Sequence, residues 1–341
     1  MWQQLKVLDL KIILTALDDI KLPFFKENAL RSALGTSLRA TICATPLRGN
    51  CKGCDIESLC IYNKLLPRAS GKALNSSAQI QEDVASPQES TSLNSGGENL
   101  SPLYLAFFDP NTPMRIGAGE SFTFYLHLFG PAVAYFPYFY FCLENMGLRG
   151  LGLKGDNSKR GKFEVRTIKV ISPRGGETLV YSREEGAPPT GWRPFSLGDY
   201  VDGVEVSALK ITTLSPLRLK YKNRLTSSVE LHVLLRAALR RISDLYIKTT
   251  GERLDIDYSG LITQACTIAE SNKPEGQWRW VDYKRYSTTQ QRSMKLGGVF
   301  GDMLYRGELT ELYPYLKAGE VLAVGKGIAF GFGRYKVTIE R

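Results

Sequence analysis

Histidine is nearly absent from this chain of 341 residues: only His127 and His232 occur. That scarcity excludes a histidine-built metalloenzyme site, and neither an HExxH pair nor a paired-aspartate motif is present. No apolar run approaches the roughly 18 residues that a membrane-crossing helix needs. The opening residues, Met1-Trp2-Gln3-Gln4-Leu5-Lys6, lack the basic region, apolar stretch and small-residue cleavage site of a secretory signal. The expectation is a cytoplasmic protein with no membrane partner. The GxxxxGK[ST] order of a P-loop is missing as well. The densest glycine cluster is followed by a strand-like pattern, not a helix, which excludes a dinucleotide fingerprint.

What is present is positive charge, unevenly placed. The formal net charge is +10. From Glu205 to Arg341 there are 22 Lys and Arg against 14 Asp and Glu, so +8 of the +10 falls in the C-terminal 137 residues. Such asymmetry points to nucleic acid or another polyanion.

The glycine cluster lies at the end of this basic half. Gly325, Gly327, Gly331 and Gly333 fall within nine positions, with Lys326 and Arg334 among them, and Tyr335 to Arg341 alternates like a strand. Glycine admits positive φ and close approach of a ligand to the main chain. Exposed N–H groups beside Lys and Arg suit a phosphate, so a polyanion tracking across the loop is the expected ligand. A tight glycine hairpin between buried strands is the alternative.

Four of the six cysteines are clustered. Cys43, Cys51, Cys54 and Cys60 follow the pattern C-x7-C-x2-C-x5-C, with the knuckle Cys51-Lys52-Gly53-Cys54. Four thiolates in a cytosolic chain read as a closed, structural zinc site, with an iron–sulfur cluster as runner-up and free or redox cysteines as a third possibility. A closed four-cysteine site leaves no open coordination position, so no catalytic metal is expected. Cys142 and Cys266 stand in apolar settings and read as small buried hydrophobes.

Punctuation predicts two domains: residues 1–181 and 204–341, joined by a linker or long loop over 182–203. A Ser- and Asn-rich stretch from Ala69 to Ser101 reads as a disordered loop inside the first domain, because it cannot bury enough apolar surface to offset its ordering entropy. In the first domain, Leu5–Ala16 reads as a strand and Asn28–Ile42 as a helix. Strands follow near 103–108, 122–128 and 162–171, with a helix at Phe136–Asn145. A basic glycine turn, Gly147 to Gly152 with Arg149, precedes the last strand. The second domain reads as a strand at Val204–Lys220, helices at Ser227–Ile247 and Ile256–Glu270, and strands at Trp278–Tyr286 and Lys295–Tyr305. A short helix at Leu309–Leu316 and the final strand complete it. Arg236, Arg240 and Arg241 fall on the more exposed side of its first helix. Strand–helix–strand–strand–helix–strand, twice over, predicts an α+β protein of two tandem ferredoxin-like (RRM-like) domains, a platform suited to single-stranded RNA.

Three stretches carry a resemblance. The first is Leu22-Pro23 with Ala29 to Arg39. The second is Trp280-Val281-Asp282-Tyr283-Lys284-Arg285-Tyr286-Ser287 with Gln290-Gln291 and Leu296 to Gly301. The third is the terminal glycine loop. Together they resemble the CRISPR-associated pre-crRNA processing endoribonuclease family of the RAMP superfamily. The resemblance spans most of the chain and is densest from Thr213 onward. It implies binding of CRISPR repeat RNA and metal-independent cleavage, in which a ribose 2′-OH attacks the adjacent phosphate to leave a 2′,3′-cyclic phosphate.

Such chemistry requires deprotonation of the nucleophile, stabilisation of the phosphorane charge and protonation of the leaving oxygen. Many family members place a histidine near the first helix, and this chain does not. His127 and His232 each read as packed structural residues. The catalytic candidates are therefore Arg31 and Arg39 on the first helix, then Tyr283, Arg285, Tyr286 and Ser287, then Lys326. RNA contacts are expected from Arg149, Lys284, Arg285 and Gln290, and from the loop residues Gly325, Lys326, Gly327, Gly331, Phe332, Gly333 and Arg334. The alternative is a non-catalytic crRNA-binding subunit of a CRISPR effector complex, for which other subunits would be partners.

Overall fold

The computed structural model describes residues 1–44, 51, 54–57, 59–66, 102–155, 158–201, 203–287 and 292–340, with side chains left out at 284–287 and 292–295. The stretch 69–101, read as disordered, and Gln290 lie outside the described residues.

The chain begins with β1 (Lys6–Ala16), the short β2 (Ile20–Lys21), α1 (Lys26–Ile42) and α2 (Ile61–Leu65). Then come β3 (Tyr104–Phe108), the short β4 (Arg115–Ile116), β5 (Ser121–Phe129) and α3 (Phe136–Arg149). The strands β6 (Phe163–Ile171), β7 (Glu177–Ser182) and β8 (Phe195–Ser196) complete the first sheet. Its order is β3-β5-β1-β6-β7, with β8 pairing β1. Reading only the core unit, β1-α1-β3-β5-α3-β6 with sheet order β3-β5-β1-β6 is the ferredoxin-like topology.

The period of two in β1 explains why it sits at the centre. Leu8, Leu10, Ile12 and Leu14 are fully buried on one face, and Leu30, Leu34 and Leu38 of α1 and Phe139 and Leu143 of α3 cover them. The opposite face carries Asp9, Lys11 and Ile13, paired across β5 with His127, Tyr125 and Thr123. Part of the segment read as a linker folds back on this sheet, since Phe195 pairs with Val7 and the Tyr200 hydroxyl donates to Asp9 Oδ2 at 2.8 Å.

The second half repeats the plan. It contains β9 (Ala208–Thr213), the small hairpin β10 (Lys220–Tyr221) and β11 (Arg224–Leu225), α4 (Leu231–Thr250) and α5 (Tyr258–Ser271). It ends with β12 (Glu275–Ser287), β13 (Arg292–Arg306), α6 (Tyr313–Leu322) and β14 (Tyr335–Ile339). The order β12-β13-β9-β14 matches the core order β3-β5-β1-β6 of the first sheet, without counterparts of β7 and β8. The protein is thus an α+β chain of two tandem ferredoxin-like units.

Two elements and one side chain differ from their sequence reading. The strand expected over Val204–Lys220 is confined to Ala208–Thr213, because Pro216 has no N–H for a ladder and the chain turns there. The last helix runs Tyr313–Leu322, later than Leu309–Leu316, with Pro314 in its first turn where no N–H is needed. Arg241, read as exposed, is 3% exposed. It is covered because α4 packs on its own sheet and also against the first half: the Arg241 guanidinium lies 5.3 Å from the Phe129 ring centre and donates from Nε to Leu322 O at 3.2 Å. Its Nη1 and Nη2 have no hydrogen-bond partner, and burial holds its pKa down at about 9. Of the two remaining cysteines, Cys142 is buried as expected and Cys266 is half-buried.

Candidate nucleic-acid interface

The three stretches singled out in the sequence meet in space. β2 ends at Lys21, Pro23 forces an extended entry, and Phe24 and Phe25 stand just before α1. Phe25 lies 5.5 Å from Phe332 of the glycine loop and 5.8 Å from Tyr283 of β12, ring centre to ring centre. Tyr283 and Phe332 are 6.0 Å apart, and Phe24 is 6.2 Å from Tyr283. These spacings are those of mutually attractive aromatic rings. Phe24 is 78% exposed, so one face of the cluster is open to solvent.

The glycine loop is held by its own backbone. Gly325, Gly327, Gly331 and Gly333 all have φ between +80° and +87°. The N–H groups of Val324, Lys326, Phe330, Gly331, Phe332 and Gly333 donate to carbonyls within the protein, and that of Arg334 donates to Ser215 Oγ. The sequence reading had these N–H groups exposed for a phosphate. In the fold these N–H groups hold the loop, and what it presents to the first half is its side chains.

Those side chains turn toward the first half. Arg31 of α1 stacks 4.5 Å from the Phe330 ring centre. Arg334 lies 3.3 Å from the centre of Phe107 on β3. Burial lowers the Arg334 pKa to about 10, with Glu27 acting against that shift. Burial pushes the Glu27 carboxyl up, opposed by a backbone hydrogen bond and by the charges of Lys26 and Arg334. The tyrosine hydroxyl of Tyr283 is raised, first by burial and then by Glu27. Lys26 Nζ donates to Thr112 O at 2.9 Å and to Asp109 O at 3.3 Å, which anchors the start of α1 to the β3–β4 loop.

Among the candidate residues, Arg31, Tyr283, Gly331, Phe332 and Arg334 therefore gather around the entrance of α1. Lys326 is half-buried in the same loop, and its N–H donates to Arg218 O at 2.8 Å. Arg39 is eight residues further along α1 than Arg31, about 12 Å at helical rise. Arg149 closes α3, exposed, with Nε donating to Asn145 Oδ1 at 3.1 Å. Lys284, Arg285, Tyr286 and Ser287 lie on β12. Sequence reasoning passed over Phe24, Phe25, Glu27 and Phe107; a Phe-Phe pair directly before a helix with an acidic first turn was the available signal.

The cysteines of the first half also converge. Cys43 caps the C-terminus of α1, and Cys60 stands at the N-terminus of α2. Cys54 N donates to Cys51 O at 3.3 Å, closing a turn. Cys43, Cys51, Cys54 and Cys60 line one small pocket with Ile56 and Tyr62. Among the described residues no group of three or more His, Cys, Asp or Glu side chains is arranged to hold a metal ion. Among them, too, no helix is long and apolar enough to cross a membrane.

Two tandem ferredoxin-like units thus meet at a basic glycine loop. Residues 5–191 match the family model AF_1859_N, an N-terminal domain, and residues 211–335 match the model of the CRISPR-associated endoribonuclease Cas6. The chain carries its likeness to the CRISPR pre-crRNA processing family in residues 211–335, while the N-terminal model covers more than half of it. Among solved structures it is similar to a product complex of Cas6 (TTHB231) from Thermus thermophilus, at 13% identity and a TM-score of 0.52, covering 98% of this chain and 99% of that one. It is also similar to a chain of a partial Cas6-RT-Cas1–Cas2 complex, at 12% identity and a TM-score of 0.50, covering 98% of this chain and 46% of that longer chain. At such identities the likeness is one of fold. No curated protein matches the chain.

Proposed function

We propose that the protein binds CRISPR repeat RNA and cuts it within the repeat, without a catalytic metal, by attack of a ribose 2′-OH on the adjacent phosphate. The observation that carries this reading is the meeting of the α1 entrance, β12 and the glycine loop at one aromatic cluster with an open face. Stacking of bases on such rings and contact of phosphates with neighbouring cations are the two terms that bind single-stranded RNA. The Arg31 guanidinium suits the developing phosphorane charge, and Lys326 suits a phosphate contact. Cleavage in this way releases a 2′,3′-cyclic phosphate and a 5′-OH.

The test is incubation of the purified protein with a labelled repeat RNA from its own locus in EDTA, beside RNAs bearing a single 2′-deoxy at each position. Cleavage in EDTA that one deoxy substitution abolishes is the expected result. Tight binding with no cut would instead favour a crRNA-binding subunit of a CRISPR effector complex. The specific observation on that side is that neither histidine lies on α1. Either role places the protein in the cytoplasm beside its RNA.

We further propose that Cys43, Cys51, Cys54 and Cys60 hold one structural zinc ion, an iron–sulfur cluster being the other group that four thiolates suit. The support is that all four line the same pocket. The ion would tie the end of α1 to the start of α2, and its removal is expected to loosen that segment. Elemental analysis of purified protein that finds no zinc or iron would end the proposal.

A further inference from the structure

We infer that His127 is the general base that deprotonates the 2′-hydroxyl, oriented by Asp9 and Tyr200 on the face of the first sheet turned toward the glycine loop. This rests on the endoribonuclease reading above and supplies the base that α1 lacks.

The arrangement follows from the strand register. Asp9 and His127 are directly paired on β1 and β5, so their side chains leave the sheet on the same face. His127 Nδ1 lies 2.7 Å from Asp9 Oδ1, in contact but off the line of a straight hydrogen bond. Both atoms are buried, and neither has another partner. A small rotation of the ring aligns them, and only each can satisfy the other. Asp9 Oδ2 is already taken by the Tyr200 hydroxyl at 2.8 Å, which fixes the carboxylate. A carboxylate facing Nδ1 places the proton there, and that leaves the Nε2 lone pair as the acceptor. The His127 side chain is 19% exposed, and Nε2 is not among the buried atoms that lack a partner. A base nitrogen held by a carboxylate, itself held by a third group, is the working logic of an oriented general base.

The surroundings suit RNA. The His127 ring lies 5.2 Å from Phe107, and Arg334 of the glycine loop lies 3.3 Å from the same Phe107. The base and a guanidinium of the loop thus flank one ring. On the same sheet face, Lys11 and Lys169 share the carboxylate of Glu177, at 2.7 and 2.9 Å. In the step itself, the 2′-hydroxyl proton moves to Nε2 as the 2′ oxygen bonds to phosphorus. The bond from phosphorus to the 5′ oxygen breaks, that oxygen takes a proton from water, and the imidazolium returns its proton to the hydroxide so formed, which restores the base.

The experiment compares wild type, His127→Asn and Asp9→Asn with labelled repeat RNA in EDTA, enzyme in excess. Asparagine keeps a donor toward Asp9 and removes the base. The expected result is a cleavage rate lowered about 10²- to 10⁴-fold in His127→Asn, with RNA affinity within twofold of wild type, which also reports an intact fold. Asp9→Asn is expected to lower the rate while leaving affinity unchanged, as a positioning role requires. In His127→Ala, added imidazole is expected to restore part of the rate, which a structural role would not allow. A wild type that cuts and a His127→Asn variant that cuts within threefold of it would overturn the inference alone. A wild type that binds and never cuts would overturn the endoribonuclease reading and this inference with it.

Discussion

Gly333→Ala is expected to destabilise the protein by about 3 kcal/mol, from left-handed backbone strain and a main-chain clash together. Gly333 has φ +82°, and a Cβ there would stand 2.0 Å from Val324 O. That carbonyl cannot retreat freely, because Val324 N donates to Gly333 O at 3.0 Å and Gly333 N donates to Pro216 O at 2.9 Å. The strain falls on the one segment that links β14 to the α1 entrance, so RNA affinity should fall with stability. The urea midpoint measures the first effect and filter binding the second. Gly203→Ala is the control: a Cβ there meets nothing within 4 Å, and its expected effect is within about 0.5 kcal/mol. Equal midpoints for the two variants would refute the account of the loop.

Arg334→Ala should cost about 2 kcal/mol and should do so in a pH-dependent way. The substitution removes the stack on Phe107 and leaves the Glu27 carboxylate half-buried without its loop cation. Burial already raises the Glu27 carboxyl, and losing Arg334 raises it further. The folded variant then binds a proton that the unfolded chain has released, so stability falls as pH rises above the ordinary carboxylate range. The deficit against wild type is accordingly larger at pH 8 than at pH 5. Adding Glu27→Gln should recover part of it at pH 8. Midpoints measured at both pH values check this, and a deficit that is the same at each would show that Glu27 and Arg334 are not coupled.

Arg334 also shows where reading the sequence stops. Its position among glycines in a basic half made it a phosphate ligand by charge and spacing. In the fold it spans the two halves, with its guanidinium pressed on an aromatic ring from a strand more than 200 residues earlier. Arg241 is similar: a period of 3.6 puts it on the polar side of its own helix, but a second packed surface covers that side. Periodicity ranks the faces of one element by polarity. It carries no information on what a distant element lays over them.

The repeated strand–helix order, the basic C-terminal half, the clustered cysteines and the three stretches of family resemblance were all properties of local pattern, and so the chain's sequence determined them without further help. Local pattern sufficed because helix and strand periods are set by neighbours within a few residues. Tertiary structure alone decided that those three stretches meet at one aromatic cluster, that glycine-loop amides bond within the protein, and that His127 stands against Asp9, whose other oxygen takes the Tyr200 hydroxyl. Each of these depends on the register and packing of residues far apart in the chain, where a contact exists only once both sheets have closed.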